Sequence, residues 1–193
     1  MKNRIITKPC YSIWRCRTQR NALLFIMLGT ILCGCTINLK LNVESRYLPK
    51  DEPLPKLTVT KPIAVKNIST DTVENKLGAC ATNFNLFGKL YDFTSSASEA
   101  VKEALGRQGV LIDEKAEKVL ELNVYEAKCL METWTFKTST ALRVKTGDKL
   151  EKVYNGDAHV GNAYASSAGF ETAILDSVSQ LLKDKDIIKY LEK

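Results

Sequence analysis

The 193-residue chain contains one histidine, and its first 34 residues contain no aspartate or glutamate. A lone His159 leaves little material for metal or hydrolytic chemistry. GxGxxG, Walker, GxSxG, HExxH and S-x-x-K patterns are all missing as well, which removes the usual signatures of nucleotide binding and nucleophilic catalysis. Low-complexity blocks and fixed-period repeats are also lacking, which argues against a solenoid or a disordered scaffold. The acid-free start explains a misleading charge. The formal net charge is +6, but Lys2, Arg4, Lys8, Arg15, Arg17 and Arg20 supply all of it, and beyond residue 34 cations and anions are equal at 22 each. No basic domain remains to neutralise phosphates, so nucleic acid is not an expected partner. No catalytic residue, metal site or cofactor is expected.

Those six cations open a leader of familiar layout. A cationic stretch runs to Arg20, an apolar run follows from Ala22 to Cys33, and small residues close it. The run is short of the roughly 20 apolar residues that cross a bilayer comfortably, although extending it to Leu39 gives a marginal span and leaves a retained signal anchor as the alternative. Leu32-Cys33-Gly34-Cys35 resembles the lipobox of bacterial lipoproteins. That resemblance implies cleavage before Cys35 and a diacylglycerol on its sulfur, with palmitate-type chains anchoring the protein to a membrane. The attacking group is a thiolate at the membrane surface, and cleavage requires small neighbours, so these residue types at this spacing suit the chemistry. Two or more acyl chains anchor stably where a single chain binds reversibly. Thr36, where Asp would favour inner-membrane retention, resembles the outer-membrane class of enterobacterial lipoproteins, facing the periplasm.

With residues 1–34 read as a signal peptide, Cys80 and Cys129 are the cysteines left beyond Cys35. In an oxidising compartment such a pair can form a disulfide, and two separate buried thiols are the alternative. Two cysteines 49 positions apart with one histidine lack the clustered spacing of a zinc site.

Residues 35–56 read as lipid anchor and tether, since prolines 49, 53 and 55 favour an extended stalk, with an ordinary surface loop lying against the domain as the alternative. Residues 57–193 then form a single α+β domain. A first strand is expected over Leu57–Ile68, a long connection over Asn67–Phe93, and a helix opened by a capping box at Ser96 to Glu99 and ended by Gly109. A strand with Leu120, Leu122 and Val124 inward follows. The next strand carries Trp134, Phe136, Leu142 and Val144 on its covered face, and a turn at Thr146-Gly147-Asp148 leads to a third that Asn155-Gly156 bends or ends. A final helix starts near Ser167, followed by a short amphipathic tail. Asp113-Glu114 and Asp184 with Asp186 adjoin lysines and read as solvated turns. The order β-α-β-β-β-α predicts an antiparallel sheet with two helices on one face. Together with the lipobox, this order resembles small envelope lipoproteins of the YajG type.

Phe84, Phe87 and Tyr91 fall within the long connection, where aromatics crowd. Long loops rich in rings are either functional or folded down as core, so these residues form a candidate partner surface with ordinary core as the competing reading. The expected function is a lipid-anchored, non-enzymatic envelope protein with a protein partner. A small-molecule or glycan-binding periplasmic module is the alternative.

Overall fold

The computed structural model describes residues 36–81 and 83–193; the leader and Cys35 lie outside them. Thr36–Lys193 forms one compact unit of mixed α+β class. Its strands are β1 (Ile37–Lys40), β2 (Ile63–Asn67), β3 (Asn75–Ala81), β4 (Phe84–Gly88), β5 (Lys118–Met131), β6 (Phe136–Thr146) and β7 (Glu151–Val160). Its helices are α1 (Leu90–Arg107), α2 (Ser166–Lys183) and α3 (Lys185–Glu192).

The main sheet has the order β2-β5-β6-β7. Its β5-β6-β7 part is the expected antiparallel meander, and β2 adds a parallel edge, with Ile63 beside Lys118. A parallel neighbour requires a crossover, and α1 supplies it. Helix α1 packs on β2 and β5, α2 packs on β6 and β7, and the two helices touch, so both cover one face. Leu120, Leu122, Leu142 and Val144 point into that face with no exposure. The other face is wet and laced with ion pairs such as Lys137–Asp157 and Arg143–Glu151.

Several expectations need correction. The connection over residues 67–93 is a β-hairpin followed directly by a helix. Its strands form a second sheet, β1-β4-β3, in which β1 runs parallel to β4. Register shifts on β3 at Leu77 and Cys80 break the period-two alternation, so the pattern is invisible in the sequence. Helix α1 starts at Leu90, six residues before the expected cap. Phe93 begins the inward stripe that continues through Ala97, Ala100, Val101, Ala104 and Leu105, and Ser96 sits inside the helix with its hydroxyl donated to Glu44 O.

Residues 40–56 are not a stalk. Leu41, Leu48 and Leu57 are buried, which fastens the segment across the helices as a strap. The Glu171 carboxylate on α2, itself buried, accepts the Glu44 N–H and faces the Arg46 guanidinium. Arg107 on α1 donates to the carbonyls of Leu48 and Pro49, and Glu52 accepts from Ser179 and Lys183. The strap bends at Pro49, where the Glu52 N–H donates to the Pro49 carbonyl, and its buried leucines give it a reason to stay.

Gly156 lies inside β7, opposite Thr140, and does not end the strand. Its role is proximity. A Cβ at Gly156 would lie 1.8 Å from Ala173 O and 2.7 Å from Ser177 N, so the backbone of α2 rests directly on the sheet. Thr138 and Thr140 face this seam with Gly169, Ala173 and Ser177 opposite, and Thr140 and Ser177 hydroxyls stand 3.3 Å apart.

Asp184 is not a solvated turn residue. It accepts the N–H groups of Asp186 and Ile187 at the start of α3, both oxygens receive Lys152 Nζ at 2.8 Å, and Tyr154 donates to it at 3.0 Å. Burial works to raise the Asp184 carboxyl, but these hydrogen bonds outweigh it and hold the group below the ordinary carboxylate range. Burial, followed by the neighbouring carboxylate, pushes the Tyr154 phenol well above its usual value.

Gly156→Ala is expected to cost about 3 kcal/mol or more in urea unfolding, because the obstructing atoms are backbone. Gly161→Ala, whose Cβ meets nothing within 4 Å, should stay within about 0.5 kcal/mol of the parent. Asp184→Asn retains a capping acceptor and loses the ion pair with Lys152. Since the folded carboxyl is depressed, its contribution is present above the unfolded value near 3.9 and is lost as pH falls through the lower folded value. The variant should therefore be about 1 kcal/mol less stable at neutral pH, and the difference should vanish in acid.

Candidate functional site

Three aromatics marked out in the sequence do not form one patch. Strand β4 is regular, so Phe84 and Phe87, three residues apart, point to opposite faces. Phe84 faces the core side with Leu86 and meets Tyr164 edge-on, ring centroids 5.9 Å apart. Tyr91 is in the first turn of α1, 38% exposed, with its N–H bonded to Asp71 O. The ring of greatest importance to the core in this stretch is Phe93, which stacks edge-on against Phe170 at 5.4 Å.

Cys80 and Cys129 are joined by a disulfide that ties β3 to β5 and so links the two sheets. Both cysteines reach each other because of a bulge. On β5, Leu120, Leu122 and Val124 face inward; Tyr125 is then unpaired, between the pairs Val124–Leu142 and Glu126–Ala141. That extra residue reverses the parity, so that Ala127 and Cys129 face inward where an unbroken strand would have turned them to the wet face. On β3, Cys80 is itself the extra residue, between Ala79–Asn85 and Ala81–Phe84. Displaced from its ladder, it turns toward β5, with the Ser166 hydroxyl 3.6 Å from its sulfur at the start of α2.

The bridge gathers one end of the domain. Beside Cys80, Ala81 pairs with Phe84, and Phe84 pairs with Ile37, the first residue of β1, whose N–H donates to Asn83 O. Two residues beyond Cys129 the β5–β6 hairpin ends in a turn closed by Glu132 N–H donating to Thr135 O. Trp134 belongs to this turn, outside the strand whose covered face it was expected to share, and is 88% exposed. Leu130, Met131 and Tyr164 are also exposed. Tyr164 stands in a single 3-10 turn, Ala163–Ala165, which Asn162 caps by accepting the Ala165 N–H.

His159 lies at the same end on β7, Nδ1 3.5 Å from Glu132, both side chains about half exposed. Among the described residues no group of three or more His, Cys, Asp or Glu side chains is placed to hold a metal ion, and no helix is long and apolar enough to cross a membrane. A cleft of about 440 Å³ runs between the strap and α1, lined by residues that include Lys50, Lys56, Arg107 and Gln108. Arg107 and Gln108 in this lining hold the strap, Arg107 as described above and Gln108 by accepting the Leu57 N–H.

The crystal structure of protein XCC0632 from Xanthomonas campestris, of the family described as DUF330, is similar to this chain at a TM-score of 0.46 and 13% identity, covering 77% of this chain and 93% of that one. No family model matches the chain, and no curated protein matches it.

Cys80→Ser combined with Cys129→Ser should lower unfolding free energy by about 4 kcal/mol, the chain-entropy value for a loop of this length. Urea titrations of the variant and the oxidised parent check it.

Proposed function

We propose that the chain is a lipid-anchored, non-enzymatic protein of the bacterial envelope, acting in envelope assembly or as a subunit of a protein complex. The observation that carries this reading is Leu32-Cys33-Gly34-Cys35 at the close of a cationic and then apolar leader, two residues before strand β1 at Ile37. A thiol at that position is the group that accepts a lipid. The Cys80–Cys129 bridge supports an oxidising compartment, where such staples persist. Thr36 supports assignment to the outer membrane, facing the periplasm.

For the ligand-binding alternative, a small-molecule or glycan site calls for a concave apolar pocket with converging polar groups. The strap cleft is charged, and Glu52, Arg107 and Gln108 in its lining are bonded to the chain itself.

Radiolabelled palmitate and the mass of the first tryptic peptide test the reading. The parent should take up label and begin at Cys35 with added acyl mass. Cys35→Ser should take up none, keep its leader and run as the heavier precursor. Identical maturation of parent and variant would show that this sulfur carries no lipid.

A further inference from the structure

The β5–β6 hairpin tip exposes several apolar side chains, with Glu132 and Thr133 between Met131 and Trp134. Leu130 is 59% exposed, Met131 62% and Trp134 88%, while Tyr164, four residues past Val160 at the same end, is 68% exposed. Consecutive strand residues alternate, so Leu130 and Met131 point to opposite faces of the hairpin, and Trp134 occupies the turn beyond them. A surface shaped for one protein partner presents one apolar face. Here apolar groups lie on both faces and at the end, an arrangement suited to a surrounding apolar medium.

Nearby charges fit the same medium. Lys128 pairs with Glu126 and Lys137 with Asp157, and Glu132 faces His159, so the end carries no strong field of either sign. Attraction to it would come from apolar burial and from the preference of Trp and Tyr for the membrane–water boundary.

The chain itself identifies the medium. Ile37 pairs with Phe84, Phe84 stacks on Tyr164, and the adjoining Cys80 is bonded to Cys129, two residues from Met131. Residue 37 is therefore at the tip end of the domain. Two residues of extended chain reach at most about 7 Å, so a lipid on Cys35 is held that close to Ile37. No stalk separates the two, because the segment once expected to serve as one is strapped over the helices.

We propose that this end of the domain seats in the headgroup region of a phospholipid bilayer, with Trp134 in the turn entering first and Leu130, Met131 and Tyr164 at the boundary behind it. The proposal rests on the lipid-anchor reading and adds a second, non-covalent contact that fixes the orientation of the domain on the membrane. Helical faces would stand upright from the surface. Leu111, 67% exposed and next to the start of β2, marks the opposite end, about 40 Å away along β5.

Trp14 and Trp134 are the two tryptophans of the chain, so a Trp14→Phe protein reports on Trp134 alone whether or not the leader is removed. The full chain would be produced in a lipidating bacterium and reconstituted into phosphatidylcholine vesicles with and without brominated acyl chains. Trp134 should lose about half or more of its emission to the brominated lipid and become shielded from aqueous acrylamide. A second protein with Trp14→Phe, Trp134→Phe and Leu111→Trp should show neither effect. Leu130→Glu with Met131→Glu, both at exposed positions, should abolish the quenching of Trp134 while leaving the circular dichroism unchanged. On a chain whose first peptide carries acyl mass, an unquenched Trp134 overturns the seating and leaves the tip to a protein partner. Equal quenching at residues 134 and 111 also overturns it. A first peptide without acyl mass overturns the anchor reading, and quenching of Trp134 on that chain would uphold the seating independently.

Discussion

The bridge between Cys80 and Cys129 is the constraint around which this molecule is arranged. It is the covalent link between a four-stranded sheet that holds the core and a three-stranded sheet that receives the start of the domain. Neither cysteine would reach the other from a regular strand. One extra residue on β5 turns Cys129 inward, and Cys80 is displaced from its own ladder. Two local irregularities thus produce one global consequence: the beginning of the domain, the rings of Phe84 and Tyr164, and the tip of the longest hairpin share a single end.

At the middle of the domain the governing constraint is closeness. Helix α2 meets the sheet through glycine, alanine, serine and threonine, with Gly156 under the backbone of Ala173. Small residues bring the helix down, and their buried hydroxyls satisfy one another or a nearby carbonyl where water cannot. The larger side chains, Phe170, Ile174, Val178 and Leu181, fill the wedge between α2, α1 and the sheet. This division explains how a helix with a leucine-rich stripe can also lie nearly on the strands.

Strong periodicity was legible in the sequence. Alternation over Leu120 to Val124 and from Phe136 to Val144, the turn at Thr146, and the stripe from Ala97 to Leu105 all correspond to elements of the right type. What could not be read depends on contacts far along the chain. Alternation fails in β3 because of its bulges, and β1 is four residues long, too short to carry a pattern. Serines at 96 and 98 resemble a helix start because serine favours such positions, but here Glu44 and Thr94 accept their hydroxyls inside a longer helix. Prolines at 49, 53 and 55 suggested an extended stalk, but the chain turns at Pro49 and is docked, which local composition does not report. Asp184 looked like surface because its lysine partner lies 32 residues earlier, on another element. The exposed tip had a weaker signal: Leu130, Met131 and Trp134 sit close together, but alternation placed Trp134 on the covered face.

The strap also dictates an order of events. Glu44 and Arg46 need Glu171, and Glu52 needs Ser179 and Lys183, so early residues of the domain bond to some of its late ones. A chain that emerges from its amino end, whether from a ribosome or through a translocation pore, holds these residues without partners until nearly the whole length has appeared. Closure of so many distant contacts is slow, because loop entropy must be overcome before the contacts repay it. The domain is in this respect built to remain threadable: the strap cannot lock shut until α2 has passed, and a late helix clasps an early segment.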